Sequence, residues 1–566
     1  MGLDILNTVR AGRSGGARRI PPSIVAAVRL ATSWLLATSC AHAAQIAVST
    51  VADNVLVDGK VSLREALVSV AVKHDYNADV AAARQSDYGP ADVIEFAIGV
   101  DAKTIGLAGP LPAVASGTKI DGTTQPGYAG LNLITIDGAQ AGAATDGLVL
   151  LEGSTVNALD IVNFGRHGLR SDDDIVFAHG FDSAGVVDPL LADSFLTIAI
   201  NQCNSTDNGG DGLRVDAGTA VSADSLRVLR NRGVGVRAGG GLVAATLVAT
   251  FNAGDGVLVD SADAVELVEP NIQYSGQHPQ LPPTDQAGLR VLRASKADVA
   301  EFGLPLVRGG VFVHGSGTIA NHTGDGVDIG DTAEQTGVVQ ALIGDLQIHD
   351  NRTGIRIVQR DDSAHRTSSS VLSNNIYNNS ASGLHVSSSF MYAGYSAAAR
   401  VISANDVHHN AVTPAGQCSI ATATQTAAQV VFDGPVSATA EEILACQPAG
   451  VDTAAECNAL SDPTGPQSNG RNNHCMWTGA SCVVAWDMGG TEGSVECDSS
   501  RNRIFAYVND ANDDPSTQKG VFATNGAYTR ARRNTWGVGG ANNGTFEDQS
   551  SQIDSNDDCG AIATCP

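Results

Sequence analysis

Asn208-Gly209-Gly210-Asp211-Gly212-Leu213-Arg214-Val215-Asp216 is answered 23 residues later by Asn231-Arg232-Gly233-Val234-Gly235-Val236-Arg237, and 21 residues after that by Asn252-Ala253-Gly254-Asp255-Gly256-Val257-Leu258-Val259-Asp260. The shared unit is Asn-x-x-x-Gly-apolar-x-apolar. Its glycine and the residues after it recur at Gly147, Gly168, Gly326, Gly354 and Gly383, so the eight aligned glycines stand 21, 44, 23, 21, 70, 28 and 29 residues apart. Those steps read as one, two or three coils of about 22 residues, lengthened by loops, a period that belongs to stacked solenoid units. The apolar-x-apolar tripeptide alternates in and out as a short strand does, and the glycine admits a positive-φ turn. The preceding Asn163, Asn208, Asn231, Asn252, Asn321, Asn351 and Asn379 are placed to stack as an amide ladder that satisfies turn backbone groups. The expected fold is all-β, a single-stranded, three-sided right-handed parallel β-helix.

Composition agrees. The 566 residues include 63 Gly but only 4 Met and 4 Trp, and 17% are charged, a balance that favours short strands and tight turns over long helices. Net charge is −26; because residues 1–44 hold five Arg against one Asp, the rest of the chain carries −30. A nucleic-acid partner is thereby excluded as an expectation, since phosphate neutralisation needs a dense basic face. An anionic polymer would also be repelled unless cations are gathered in one place.

Arg10, Arg13, Arg18, Arg19 and Arg29 precede an apolar run through Trp34, Leu35 and Leu36 and the small-x-small triplet Ala41-His42-Ala43. This pattern is that of a signal peptide over residues 1–44, so the protein is expected to be secreted or held at the cell surface. The apolar run is too short to span a bilayer, and no membrane span is expected after cleavage. Of ten Cys, eight lie between Cys418 and Cys565. In an exported chain such clustering reads as disulfides, and no C-x-x-C spacing suggests zinc. Cys446, Cys457, Cys475 and Cys482 mark a stapled insertion at 441–498. Around it we expect an N-terminal cap and first coils at 45–140, the main coils at 141–440, and the last coils and tail at 499–566. The mature protein is expected to be a monomer.

Residues 48–67 read Val48-Ser-Thr-Val-Ala-Asp53-Asn-Val-Leu-Val-Asp58-Gly-Lys-Val61-Ser-Leu-Arg64-Glu65-Ala-Leu67. This resembles the CSLREA motif at the N-terminus of exported bacterial β-helix proteins, with Val61 where the family has Cys. Ile120-Asp-Gly-Thr-Thr-Gln-Pro-Gly127-Tyr and Ile136-Asp137-Gly138 resemble the first coils of such proteins, and Asn534-Thr-Trp536-Gly537 resembles a turn near their end. The resemblance implies a pectate-lyase-like fold, whose members include polysaccharide lyases, hydrolases, epimerases and adhesins. Fold likeness alone does not choose among them.

The chemistry must then lie on outward-facing positions. Two residues after each aligned glycine stand Val149, Arg170, Arg214, Arg237, Leu258, Asp328, Arg356 and His385; four after it stand Asp172, Asp216 and Asp260. With coils about 4.8 Å apart, each set forms a ladder. Arg170, Arg214 and Arg237, with Asp216 and Asp260, are the expected substrate-binding residues, because guanidinium groups pair with carboxylates or sulfates at sugar spacing. Asp328, Arg356 and His385 are the expected catalytic set: a carboxylate, a cation to neutralise a uronate, and a base for its C5 proton. Asp216 and Asp260, two coils apart, also suit the carboxyl separation of an inverting glycosidase. Against these stands the plainer reading that Arg214 with Asp216, or Arg237 with Asp260, are ordinary exposed ion pairs.

No motif specifies a cofactor. Asp146, Asp211, Asp255 and Asp325 before the aligned glycines leave room for a Ca2+-binding edge, although Asp-Gly is an ordinary turn pair. His408-His409 and the segment Arg360 to Arg366 read as loops without partners. Two readings follow: a protein acting on an acidic polysaccharide or cell-surface glycan by lyase or epimerase chemistry, or a non-catalytic surface or adhesion protein.

Overall fold

The computed structural model describes residues 43–172, 197–261, 264–294, 310–330, 337–358, 365–387, 401–410, 428–433, 444–460, 475–488, 502–504, 520–531, 534–536, 545–547 and 551–554. Residues 1–42, which hold nearly all of the expected signal peptide, lie outside them, as does Arg360. Among the described residues the chain is a parallel β-helix with three faces. A first face begins with Gln45–Val48, Val93–Phe96 and Lys119–Asp121 and ends with Gln552–Asp554. A second runs from Lys103–Gly106 to Thr535–Trp536, and a third from Leu148–Leu150 to Thr545–Glu547. The second holds 13 strands; the first and third together hold 27, joined to each other by the single pair Ala294–Val339. The strands within each face pair in parallel, and the inward residue of most of the short strands is an Ile, Leu, Val or Ala with almost no exposure, Ser205 and Thr529 being exceptions. Stacking coil on coil buries that apolar column, which no single coil could bury alone.

Two of the glycine steps hold one coil fewer than their length suggests. Leu169 pairs directly with Leu213, so the 44-residue step is one coil with an insertion after the third-face strand. The 70-residue step holds two coils, because Val257 pairs with Leu289 and Leu289 with Val327.

The corners are built differently from the expectation too. None of the aligned glycines has a positive φ. The left-handed residues are instead single non-glycine positions after the first-face strand (Gln202, Ser225, Thr246, Glu269) and after the second-face strand (Asp207, Arg230, Phe251, Tyr274). What the aligned glycine supplies is room. A Cβ on Gly235 would lie 2.4 Å from Gly256 O and 2.7 Å from Asn252 Nδ2, both in the next coil. The glycine is where adjacent coils touch.

Behind it runs the amide ladder. Asn208 Nδ2 donates to Asn231 Oδ1 (2.9 Å), Asn231 Nδ2 to Asn252 Oδ1 (3.1 Å), and Asn351 Nδ2 to Asn379 Oδ1 (3.1 Å), while each Oδ1 also accepts the backbone N–H of the Asn below. Asn163 and Asn321 are not rungs. They occupy the left-handed corner one residue earlier, and Phe164 and His322 take the rung positions. A second ladder, Asn374, Asn405, Asn502 and Asn534, closes the other corner.

The segment with the CSLREA-like sequence forms the lower cap. Ser62 caps the helix Leu63–Val72 in a reciprocal box with Glu65, and Arg64 binds Asp53 (2.7 Å) and Gly109 O. Leu63, Leu67 and Val70 close the end of the core, and Val61 is itself buried there. Near the other end, Cys457–Cys482 staples the helix Ala454–Leu460 to the antiparallel hairpin Cys475–Trp477/Cys482–Val484, and Cys446–Cys475 ties the segment before that helix to the same hairpin. Trp486–Met488 already belongs to the first face. No helix among the described residues is long and apolar enough to cross a membrane.

Candidate functional site on the third face

The outward column of the third face runs in register through Val149, Arg170, Arg214, Arg237, Leu258, Arg290, Asp328, Arg356, His385, Val431 and Phe522. A second column, immediately before the aligned glycines, holds Asp146, Asp211, Asp255 and Asp325. These carboxylates tie one coil to the next. Asp211 Oδ1 accepts from Val234 N–H (2.8 Å) and its Oδ2 from Arg237 Nε (2.8 Å); Asp255 repeats this with Ala287 N–H (2.7 Å) and Arg290 Nε (3.0 Å). Asp325 is bound by Arg352 (2.9 Å), which also reaches Asp285. The side chains of Asp211, Asp255 and Asp325 are all but buried. Surrounded by N–H donors, their oxygens suit cationic side chains instead of Ca2+, and no group of three or more acidic, His or Cys residues is placed to hold a metal among the described residues.

The arginines are consequently not an open cationic track. Arg170 binds Asp216 (2.8 Å) and Asp172 (3.2 Å), Arg214 binds Asp216 (2.7 Å), and Arg237 binds Asp211 and not Asp260. Asp216 therefore has both oxygens engaged. Burial raises its pKa, but the bonds from Arg214 and Arg170 outweigh this and hold the carboxyl below its ordinary range. It is not a group that would protonate a leaving oxygen, and in the expected pair with Asp260 it suits only the ionised role. Asp260, exposed, stands beside a register shift opposite Arg293.

The pattern changes above Asp325. In the column before the glycines Asp gives way to Thr353, Ser382 and Ala428, and the outward column becomes Asp328, Arg356, His385, Val431 and Phe522. Asp328, only 3% exposed, accepts from Arg290 Nη1 (2.6 Å) and Arg356 Nη1 (3.2 Å). Arg356 is the register partner of His385 on the next coil. Burial pushes the His385 pKa down; Asp433 raises it in part, Arg356 lowers it further, and Asp325 opposes weakly. The imidazole is thus neutral at neutral pH. Above it, Val431 and Phe522 are buried although they point away from the core, packed with Ala428. His385 stands at the step between an open sheet and a covered one.

Arg290 was hidden in the sequence. Its unit, Gln286-Ala287-Gly288-Leu289-Arg290-Val291, has Ala where its neighbours have Asp and lacks the Asn, the rung there being supplied by Ser275 N–H and His322 Nδ1 (3.1 Å). His408 is also no loop residue. It ends the strand Asp406–His408 and stacks on Tyr377 at 5.2 Å, which stacks on His349 at 4.6 Å. His365 likewise opens the strand His365–Leu372.

No protein-family model and no curated protein sequence matches the chain. Among solved structures it is similar to the A-module of mannuronan C-5 epimerase AlgE4 of Azotobacter vinelandii, at 14% identity over 51% of this chain and 77% of that one, with a TM-score of 0.30. It is also similar to the A-module of the AlgE6 epimerase of the same organism, at 13% identity over 83% of this chain and 87% of that one, with a TM-score of 0.28.

Proposed function

We propose that this is an extracytoplasmic protein that binds a uronate-bearing polysaccharide across the step on the third face and acts on it by proton abstraction. The observation that carries the reading is the pairing of His385 with Arg356 where the Asp–Arg ties stop. A sugar carboxylate needs a cation to stabilise the charge that develops when its C5 proton leaves, and a neutral base to take that proton. Arg356, held by Asp328, supplies the first; His385, kept neutral by burial, supplies the second. Asp328 is then a positioning residue and not an acid. Disulfides in the stapled insertion support an oxidising compartment, in keeping with the leader-like N-terminus. Lyase and epimerase outcomes share this first step and differ in whether the leaving group departs or a proton returns.

A second reading, a non-catalytic surface protein that presents glycan-binding loops, is favoured by one observation. Arg170, Arg214, Arg237 and Arg290 are all satisfied by Asp, so the lower face gathers no excess positive charge. The two are separated by incubating the mature protein with polyuronates and neutral polysaccharides while following ultraviolet absorbance of unsaturated products, reducing ends, and exchange of C5 hydrogen for solvent deuterium. The first reading expects turnover on a polyuronate that His385→Ala abolishes and Arg356→Ala cuts by about a hundredfold or more, as loss of a stabilising donor does. Silence across the panel with glycan binding retained would establish the second. Activity intact in both variants would move the site elsewhere.

A further inference from the structure

The second face carries a ring column that the glycan site leaves unused. His349, Tyr377 and His408 follow one another in register on consecutive coils, with ring centroids 4.6 and 5.2 Å apart. At its upper end His408 Nδ1 lies 2.5 Å from Nδ1 of His409, and His408 Nε2 lies 2.8 Å from Asn375 Oδ1. An amide oxygen only accepts, so Nε2 of His408 carries a hydrogen. Between the two Nδ1 atoms there is room for one proton and no more.

We propose that His408 and His409 form a proton-sharing latch that opens on mild acidification and loosens the coil seated on His385. His409 occupies the left-handed corner (φ 54°), and the next residue, Asn410, is a rung of the amide ladder. Asn410 Nδ2 donates to Gln429 Oε1 (2.7 Å), and Gln429 opens directly into the strand Val430–Asp433, whose Val431 is the register partner of His385. The latched pair holds one charge at most, with a hydrogen on each Nε2 and a single proton between the Nδ1 atoms; a second charge makes both rings imidazolium and sets two N–H groups against each other at the corner from which that rung is hung. Burial lowers the His409 pKa, in keeping with resistance to the second proton. Among the described residues, the groups facing the pair from neighbouring elements include Asn375 and Tyr377 on the coil below, and His349 with its partner Asp350 (2.6 Å) on the coil beneath that. Asp406 lies on the same strand, with Arg503 as its register partner above. The inference stands on this contact and not on the glycan reading.

Hydrogen exchange followed by mass spectrometry on the full chain tests it, with rates corrected for the intrinsic effect of pH. A local opening that takes up one proton on an ordinary imidazole accelerates about tenfold between pH 7.5 and pH 5.5. The wild type is expected to show that acceleration in residues 401–410 and 428–433. His409→Asn keeps a residue tolerant of the left-handed corner but cannot titrate, and it should abolish the effect. An unchanged wild-type rate, or the same acceleration in His409→Asn, overturns the latch. Histidine C2 hydrogen–deuterium exchange on the wild type needs no variant. Proton sharing predicts that His408 and His409 titrate in two steps more than about one pH unit apart, and a single shared step near the ordinary value of about 6.5 refutes it.

Discussion

His322 gives the sharpest test of how the coils are held. It fills a rung that is Asn in the coils above: its N–H donates to Asn351 Oδ1 (3.1 Å), Nδ1 accepts from Ser275 N–H (3.1 Å), and Nε2 lies 3.1 Å from Ile272 O, to which it must donate. One neutral tautomer satisfies all three contacts. A proton added at Nδ1 would meet the Ser275 N–H in a site only 4% exposed. Burial, opposed by the Ile272 carbonyl and reinforced by His349, pushes the pKa down to about 3. The unfolded chain, with an ordinary imidazole near 6.5, binds a proton that the folded chain refuses. Stability from this site is therefore fully present above pH 6.5 and is lost progressively as pH falls from 6.5 toward 3.

Linkage over that window gives about 2 kcal/mol lost at pH 5 and about 3 kcal/mol at pH 4. His322→Asn installs the residue of the other rungs, which has no titration to lose. At pH 7.5 the smaller side chain should cost about 1–2 kcal/mol through the space it leaves. At pH 5 the two proteins should be about equally stable, and at pH 4 the variant should be the more stable. Urea unfolding at the three pH values measures the crossing, and hydrogen exchange across residues 310–330 shows whether the change is local, as a repeat protein permits. Parallel pH curves for the two proteins would refute the reasoning, because they would mean that His322 takes its proton in the folded state.

Two further substitutions probe the contacts between coils. A Cβ on Gly354 would meet Gly383 O at 2.5 Å, Ile376 Cγ2 at 2.6 Å and Asn379 Nδ2 at 2.8 Å; Gly354→Ala should cost about 1–3 kcal/mol in denaturant unfolding, as overpacking does, whereas a neutral result would show that the coils are not in contact there. Asp255→Ala removes the acceptor for Ala287 N–H and Arg290 Nε, leaving a buried donor and a guanidinium dependent on Asp328 alone; about 2–4 kcal/mol should be lost, read from the same curves, and a loss under about 0.5 kcal/mol would show the tie to be ornamental.

The fold was legible because the repeated unit is itself a contact with the next copy of the unit: Asn208, Asn231 and Asn252 are read in sequence as a pattern and in space as a hydrogen-bonded row. Where a different residue performs the same contact, the pattern vanishes though the coil persists. His322 offers the acceptor and donor of an Asn with an imidazole, so in sequence Asn321 reads as the rung; the Gly288 coil lacks both Asn and Asp and does not stand out as a unit. The outward column was legible as a column, since parity along a strand is strict. Its meaning was not, because Asp211 and Arg237 are 26 residues apart and which carboxylate a guanidinium reaches depends on the coil below as much as on its own. An outward residue of a β-helix is interpretable only beside its two neighbours along the axis. Read so, Arg170, Arg214 and Arg237 become parts of one repeating tie, and the place where chemistry can differ is where the tie fails, between Asp328 and Val431. Arg356 has a carboxylate below it and an imidazole above it, a combination that the rest of the described column does not repeat.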